Sequence, residues 1–240
     1  MLDGLPRRFA TTRWTLVRAV RGRGSDEARD ALAVLCRTYW WPVHAFMCRS
    51  GASDDDARDL TQAFFAKVIE KGAFEQARED RGKFRTFLLS SARNFLSNER
   101  EAAHAQKRGS GREPLPLEFD DGDGPRAIEP AGGETPERAY ERKWALEVIA
   151  LSLKVVESRY EASGRRALFV ALQPFLTGDE PSSYGDVAGR LGTTDGALRV
   201  AAHRLRRDFA AVLRETIADT VERPEDVDDE LRYLLRAVGP

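Results

Sequence analysis

Apolar residues recur at intervals of three and four along most of the chain, which is the spacing of one buried helix face. Such stripes run from Ala28 to Met47, from Ala57 to Val68 and from Phe84 to Phe95. Pro42 interrupts the first stripe and predicts either a kink or a helix boundary there. No alternation of useful length predicts a β-strand. The pattern therefore predicts an all-α fold.

The helical period disappears between residues 106 and 133, where glycine, proline and acidic residues take over. We predict a flexible acidic linker in this segment, long enough at about 3.3 Å per residue that the flanking domains need not touch. Thr135 and Pro136 then form a strong helix start, with the threonine as cap. The predicted organisation is two small helical domains at 1–105 and 134–215, the linker at 106–133, and a helical C-terminal extension at 216–240.

The C-terminal extension combines an acidic face with an apolar one. Its apolar residues are Val227, Leu231, Leu234 and Leu235. Because an apolar helix face needs a surface to cover it, we expect these side chains to pack on the second domain. The alternative is a regulatory role, in which the acidic face masks arginines of the preceding helix.

The composition is that of a folded, soluble chain, with 240 residues, 42% hydrophobic and 32% charged, and a net charge of −1. No apolar run approaches the roughly 20 residues of a spanning helix, and the N-terminus lacks a secretory pattern. We therefore expect a cytoplasmic protein that does not contact membranes. A near-neutral total does not by itself favour nucleic-acid binding, which has to be judged from where the basic residues lie.

Two cysteines, Cys36 and Cys48, are too few for a disulfide framework and suit a reducing compartment. Their spacing with His44 matches no zinc pattern and a fourth ligand is missing, so we predict no metal and no cofactor. The chain also lacks a phosphate-binding glycine loop and a nucleophile elbow. We expect no enzymatic activity.

The segment from residue 184 to residue 207 has the spacing of a helix-turn-helix. Val187, Ala188 and Leu191 make the inward face of a first short helix. Gly192 suits a left-handed turn, and Thr194 can cap the second helix. The outer face of that second helix is basic, which favours DNA binding, and carries Arg199, Arg204, Arg206 and Arg207.

Three segments together resemble the bacterial RNA polymerase sigma factors of the small, two-domain extracytoplasmic-function type. They read DARDLTQAFFAKV from Asp56, GKFRTFLLSSARNFLSNER from Gly82, and YGDVAGRLGTTDGALRVAAHRLRR from Tyr184. The resemblance implies a protein that binds core RNA polymerase and directs promoter recognition and transcription initiation. Core polymerase and promoter DNA would be its partners, and it would be a monomer when free. It also leaves open an anti-sigma factor as a further partner.

The resemblance also implies roles for individual residues. The first segment would dock on the polymerase through Asp56, Asp59, Leu60, Gln62 and Phe65. In the second, the phenylalanines have core spacing, so the minus-ten element would be contacted by Arg85, Arg93, Asn94, Asn98 and Arg100, and by the loop 72–83. The minus-thirty-five element would be read by Thr194, Asp195, Gly196, Arg199, His203, Arg204 and Arg207.

A second hypothesis is a stand-alone helix-turn-helix regulator with a helical sensing domain. Such a regulator should dimerise and bind duplex DNA unaided, whereas a sigma factor depends on the polymerase. The two hypotheses therefore differ in oligomeric state and in the need for polymerase.

Overall fold

The computed structural model describes residues 26–72, 83–107, 133–177, 183–218, 221 and 223–239. All of the elements in these ranges are helices, which confirms the all-α class. In chain order they are α1 Asp26–Arg49, α2 Asp54–Glu70, α3 Phe84–Lys107, α4 Pro136–Ala162, α5 Arg166–Leu172, α6 Pro174–Thr177, α7 Tyr184–Arg190, α8 Asp195–Ala218, a 3-10 turn Pro224–Asp226, and α9 Val227–Val238.

Both α2 and α4 begin at side-chain caps. Ser53 and Thr135 each accept a hydrogen bond from the backbone N–H three residues further on, at 3.2 Å. Pro136 lies in the first turn of α4, so the predicted start of this helix is confirmed. Pro42 lies inside α1, so the helix boundary that was one of its two predicted effects is absent.

A first hydrophobic core lies among α1, α2 and α3. Aromatic rings meet edge-on there, with centroids 5.3 Å apart for Tyr39 and Phe84 and 5.6 Å apart for Phe64 and Phe95. The same core contains residues of three later helices: Tyr140, Trp144, Ala145 and Val148 of α4, Leu213 and Ile217 of α8, and Val227 and Leu234 of α9.

A second core holds the other half of α4 against α5 to α8. Its buried residues are Val156, Tyr160, Phe169, Leu172, Phe175, Val187, Ala188, Leu198, Ala202, Leu205 and Val212. Since α4 and α8 supply residues to both cores, helices from both sides of the predicted linker touch each other. Residues 106–107 belong to α3, and 108–132 lie outside the described residues. The division into domains and a linker stays a prediction.

The C-terminal helix α9 packs against the first half of α4 and the end of α8. Val227 and Leu234 are buried, as expected, and Leu231 packs against the same core, but this core also contains residues of α1, α2 and α3. The expectation for Leu235 was wrong, because 56% of this residue is exposed. The helix buries a charged residue as well, since only 1% of Glu230 is exposed.

An acidic residue of α9 contacts the second half of α8. Asp228 pairs with Arg214, which lies about two helical turns after Arg207. Arg204 and Arg207 are exposed. In this arrangement the described part of the extension packs on the first core and leaves Arg204 and Arg207 exposed.

Candidate nucleic-acid interface

Local interactions stabilise the two helix starts and the turn of the helix-turn-helix. Ser183 and Asp186 form a reciprocal capping box at the start of α7. Gly192 has a φ of +64°, the left-handed conformation expected for the turn. Thr194 accepts a hydrogen bond from the N–H of Ala197 at 3.2 Å, so its predicted capping role is confirmed. The capping box thus defines the start of α7, and Gly192 with Thr194 defines the turn into α8.

The two helices meet through small and apolar side chains. Ala188 is 3% exposed and Leu198 1%, which allows the close approach expected of this motif. Leu191 was expected to face inward, but 37% of it is exposed because it follows the last turn of α7. The remainder of the inward face is as predicted.

The outer face of α8 lies opposite its buried residues. At about 100° per residue, Gly196, Val200 and Arg207 point away from the buried Leu198 and Leu205. All residues predicted to read the minus-thirty-five element are exposed, and they lie between the cap of α8 and the middle of that helix: Thr194, Asp195, Gly196, Arg199, His203, Arg204 and Arg207.

Tyr184 positions two of the arginines that the sequence placed on the basic face. Its ring stacks on Phe175 with centroids 4.2 Å apart. The guanidinium of Arg199 lies 4.8 Å above the Tyr184 ring, and Arg206 donates to the Tyr184 hydroxyl at 3.0 Å. Arg199 also donates to Asp195 at 2.8 Å. Sequence reasoning missed Tyr184 as a positioning residue, because nothing in the local spacing shows what its ring touches.

Four of the five residues predicted for the minus-ten element lie on the exposed surface of α3: Arg93, Asn94, Asn98 and Arg100. Arg93 and Arg100 line a cleft of about 590 Å³ together with Arg49 at the end of α1. Arg93 donates to Glu137 at 2.7 Å, and Arg100 donates to the carbonyl oxygen of Ser50. Besides the three arginines, the carboxylates of Glu101 and Glu137 line this cleft, so cations exceed anions by one.

The sequence does not reveal Arg49, because its proximity to Arg93 and Arg100 depends on how α1 packs against α3. The only local signal was a basic residue in the last turn of α1. The predicted base-binding loop cannot be placed, since residues 73–82 lie outside the described residues.

Arg85 requires a correction, because the structure buries it. Only 8% of it is exposed, and its guanidinium donates to Glu230 at 2.7 and 3.3 Å. It also lies 3.8 Å from the ring centroid of Tyr233 and 5.0 Å from that of Trp144. A guanidinium enclosed in this way cannot reach DNA. Arg85 instead holds α9 against α3.

The polar face of α2 is the candidate polymerase surface. Asp56 and Asp59 are exposed, while Leu60 and Gln62 are partly buried. Phe65 requires a second correction, since 4% of it is exposed and its ring stacks on Trp40 with centroids 5.9 Å apart. Phe65 therefore packs in the core beneath α2 and does not form part of the surface.

His44, Cys48 and Asp54 are close enough to suggest a metal site, with ligand atoms all within 4.8 Å of one another. Nε2 of His44 lies 3.3 Å from Asp54, but the Cys48 sulfur lies 3.8 Å from both ring nitrogens. That equal distance places the sulfur off the lone-pair direction of either nitrogen. The positive charges of Arg58 and Lys143 also act on His44. The arrangement as it stands does not match a metal site.

The pKa of His44 gives a testable pH dependence. Burial lowers this pKa below its ordinary value of 6.5, and the opposing charge and hydrogen bond of Asp54 do not outweigh burial. The folded protein therefore binds this proton less readily than the unfolded chain does.

We expect the melting temperature of the wild type to fall more between pH 7 and pH 5.5 than that of a His44→Gln variant. The stability that neutral His44 contributes is present above the unfolded pKa of about 6.5 and is lost as the pH falls through the lowered folded pKa. Thermal unfolding at the two pH values measures the difference. Equal decreases in both proteins would contradict this assignment.

Comparison with protein-family models, with curated proteins and with solved structures gives no match. Within the described ranges, no helix combines the length and the apolar character needed to cross a membrane.

Proposed function

We propose that the protein is a bacterial sigma factor of the extracytoplasmic-function type, which binds core RNA polymerase and directs it to promoters. The observation that carries the proposal is the exposed basic face of α8 behind a well-formed turn at Gly192. A recognition helix of this kind enters the major groove with its first turns against the base edges. Arg199 lies in those turns, and His203 and Arg204 follow one turn later.

The minus-ten element would meet the surface of α3. Arg93 and Arg100 with Arg49 supply positive charge for the backbone, and the exposed Asn94 and Asn98 can hydrogen-bond to bases. The ion pair of Arg93 with Glu137 is solvent-exposed, so exchanging that carboxylate for a phosphate requires little energy.

Core polymerase would bind the polar face of α2. Asp56 and Asp59 present negative charge beside the partly buried Leu60, a mixture that suits a protein partner better than DNA. The chain has a net charge of −1, so its affinity for DNA alone should be weak. Two weak DNA-reading surfaces held on one polymerase act at high effective concentration, and the holoenzyme would supply the affinity.

A pull-down with core polymerase, followed by transcription from a library of DNA fragments, tests the proposal. We expect a monomer that co-purifies with core enzyme and activates particular promoters only in its presence. A dimer that binds duplex DNA without polymerase would instead favour the stand-alone regulator with a helical sensing domain. Core enzyme without the protein is the control for promoter choice.

Arg199 and Arg204 should have different effects on the minus-thirty-five element. Arg199 lies in the first turns of α8, where side chains reach base edges, and Arg204 lies further along, where phosphate is closer. Arg199→Ala should relax the preference at one or two base pairs, by about 1–3 kcal/mol, and Arg204→Ala should weaken all promoters evenly. Holoenzyme binding to a promoter library at several salt concentrations measures both effects. The same loss on every sequence for both variants would exclude base readout by Arg199.

A further inference from the structure

Val200 is an apolar residue in the middle of a polar, exposed helix face. Val200 is 51% exposed, so it gains little stability from burial. Its branching at Cβ also lowers its helix propensity, so neither burial nor helix formation explains a valine here. At about 100° per residue it lies nearly opposite Leu198 and Leu205, which are 1% and 0% exposed. Val200 is therefore close to the centre of the outward face of α8.

The space in front of Val200 is open. A helical side chain leans toward the N-terminus of its helix, so Val200 lies over the turn that contains Gly196. Gly196 has no side chain, and a Cβ built there would meet nothing within 4 Å. The methyl groups of Val200 are therefore accessible at the N-terminal end of the recognition helix, which is the end that approaches base edges.

The neighbouring arginine is held to one side of this position. Arg199 is tied to Asp195 at 2.8 Å and lies over the ring of Tyr184. His203 and Arg204 follow one turn later and are exposed. The first part of the outward face thus presents an apolar group flanked by arginines.

We propose that Val200 selects a thymine in the minus-thirty-five element by packing its methyl groups against the thymine C5 methyl. This inference rests on the proposed function. Among the four bases, only thymine offers an apolar group in the major groove, and valine has neither donor nor acceptor for the other base edges. A cytosine at the same place would lose the methyl contact and leave its amino group facing valine.

The test removes one methyl group from the DNA at a time. Promoters are first selected with holoenzyme from a library randomised in the minus-thirty-five region, and each thymine is then replaced by deoxyuridine. Wild-type holoenzyme should lose affinity about threefold to fourfold at one position, as expected for one buried methyl group. Val200→Ala should lose a similar factor on the thymine promoter and nothing more on the deoxyuridine promoter.

Val170→Ala is the matched control, since Val170 on α5 is 53% exposed and lies outside the recognition helix. It should behave as the wild type on both promoters. Val200→Thr, which keeps one methyl group, checks the conclusion if the alanine variant is poorly folded, and it should show a reduced response to deoxyuridine.

Undiminished sensitivity to deoxyuridine in the Val200 variants would overturn the inference, as would wild-type holoenzyme that is insensitive at every thymine. In both cases polymerase-dependent promoter selection would still stand. Failure to select any promoter with polymerase would instead refute the proposed function, and the inference with it.

Discussion

Replacing Glu230 by alanine should lower the free energy of unfolding by about 3 kcal/mol or more, because it leaves a buried guanidinium without its counter-charge. Glu230 is 1% exposed and accepts from Arg85 at 2.7 Å, and it also pairs with Lys83. Removing one partner of a buried ion pair typically destabilises a protein by about 3–5 kcal/mol. Urea unfolding at pH 7, followed by circular dichroism, measures the change.

Two comparisons isolate the buried charge. Asp229→Ala removes an exposed carboxylate from the same helix, paired with Arg232 at 3.1 Å, and should change stability by less than about 1 kcal/mol. Combining Arg85→Met with Glu230→Met should recover much of the lost stability, since an apolar pair can replace a buried ion pair. A Glu230→Ala protein as stable as the Asp229→Ala protein would contradict this account.

The same pair predicts an acid transition distinct from that of His44. Burial alone would raise the pKa of Glu230, but the hydrogen bonds and charges of Arg85 and Lys83 lower it below its ordinary value of 4.5. This contribution to stability is therefore present above the unfolded pKa and is lost as the pH falls through the lowered folded pKa. The stability contributed by Glu230 is lost at a lower pH than that contributed by His44, so the two losses can be separated in a pH series.

Charge reversal at Asp59 should weaken binding to core polymerase. Asp59 is exposed on α2, two residues before the fully buried Thr61, so the substitution points away from the core. If this carboxylate is an anchor of the proposed interface, placing a cation there should weaken binding by about 2 kcal/mol or more, which is about 30-fold. Co-purification with core enzyme and the melting temperature of the free protein are measured together.

Glu161→Arg is a matched control for charge reversal, because Glu161 is exposed at the end of α4 and far along the chain from α2. It should leave polymerase binding unchanged. Gln62→Ala, on the partly buried edge of α2, should cause a smaller loss than Asp59→Arg. Normal binding by a folded Asp59→Arg protein would remove the proposed docking role of α2.

Local signals in the sequence determined the helical class, and they also determined the turn and the second helix start of the helix-turn-helix. Thr135 with Pro136, Thr194 and Gly192 all act through bonds or backbone angles within a few residues. Their effect depends on neighbours that the sequence itself supplies, and so it can be read without the fold. The periodic apolar stripes predicted the buried faces for the same reason.

Only the tertiary structure decided the roles of the charged and aromatic residues. Arg85 has the same local surroundings as an exposed arginine, but its partner Glu230 lies 145 positions further along the chain. The resemblance of its segment to a polymerase-docking helix predicted that Phe65 lies at a surface. In the structure its ring stacks on Trp40 of α1. Arg49 joins Arg93 and Arg100 only because α1 and α3 line one cleft. A periodic pattern shows that a face is buried, but which helix covers it depends on long-range packing that no local spacing encodes.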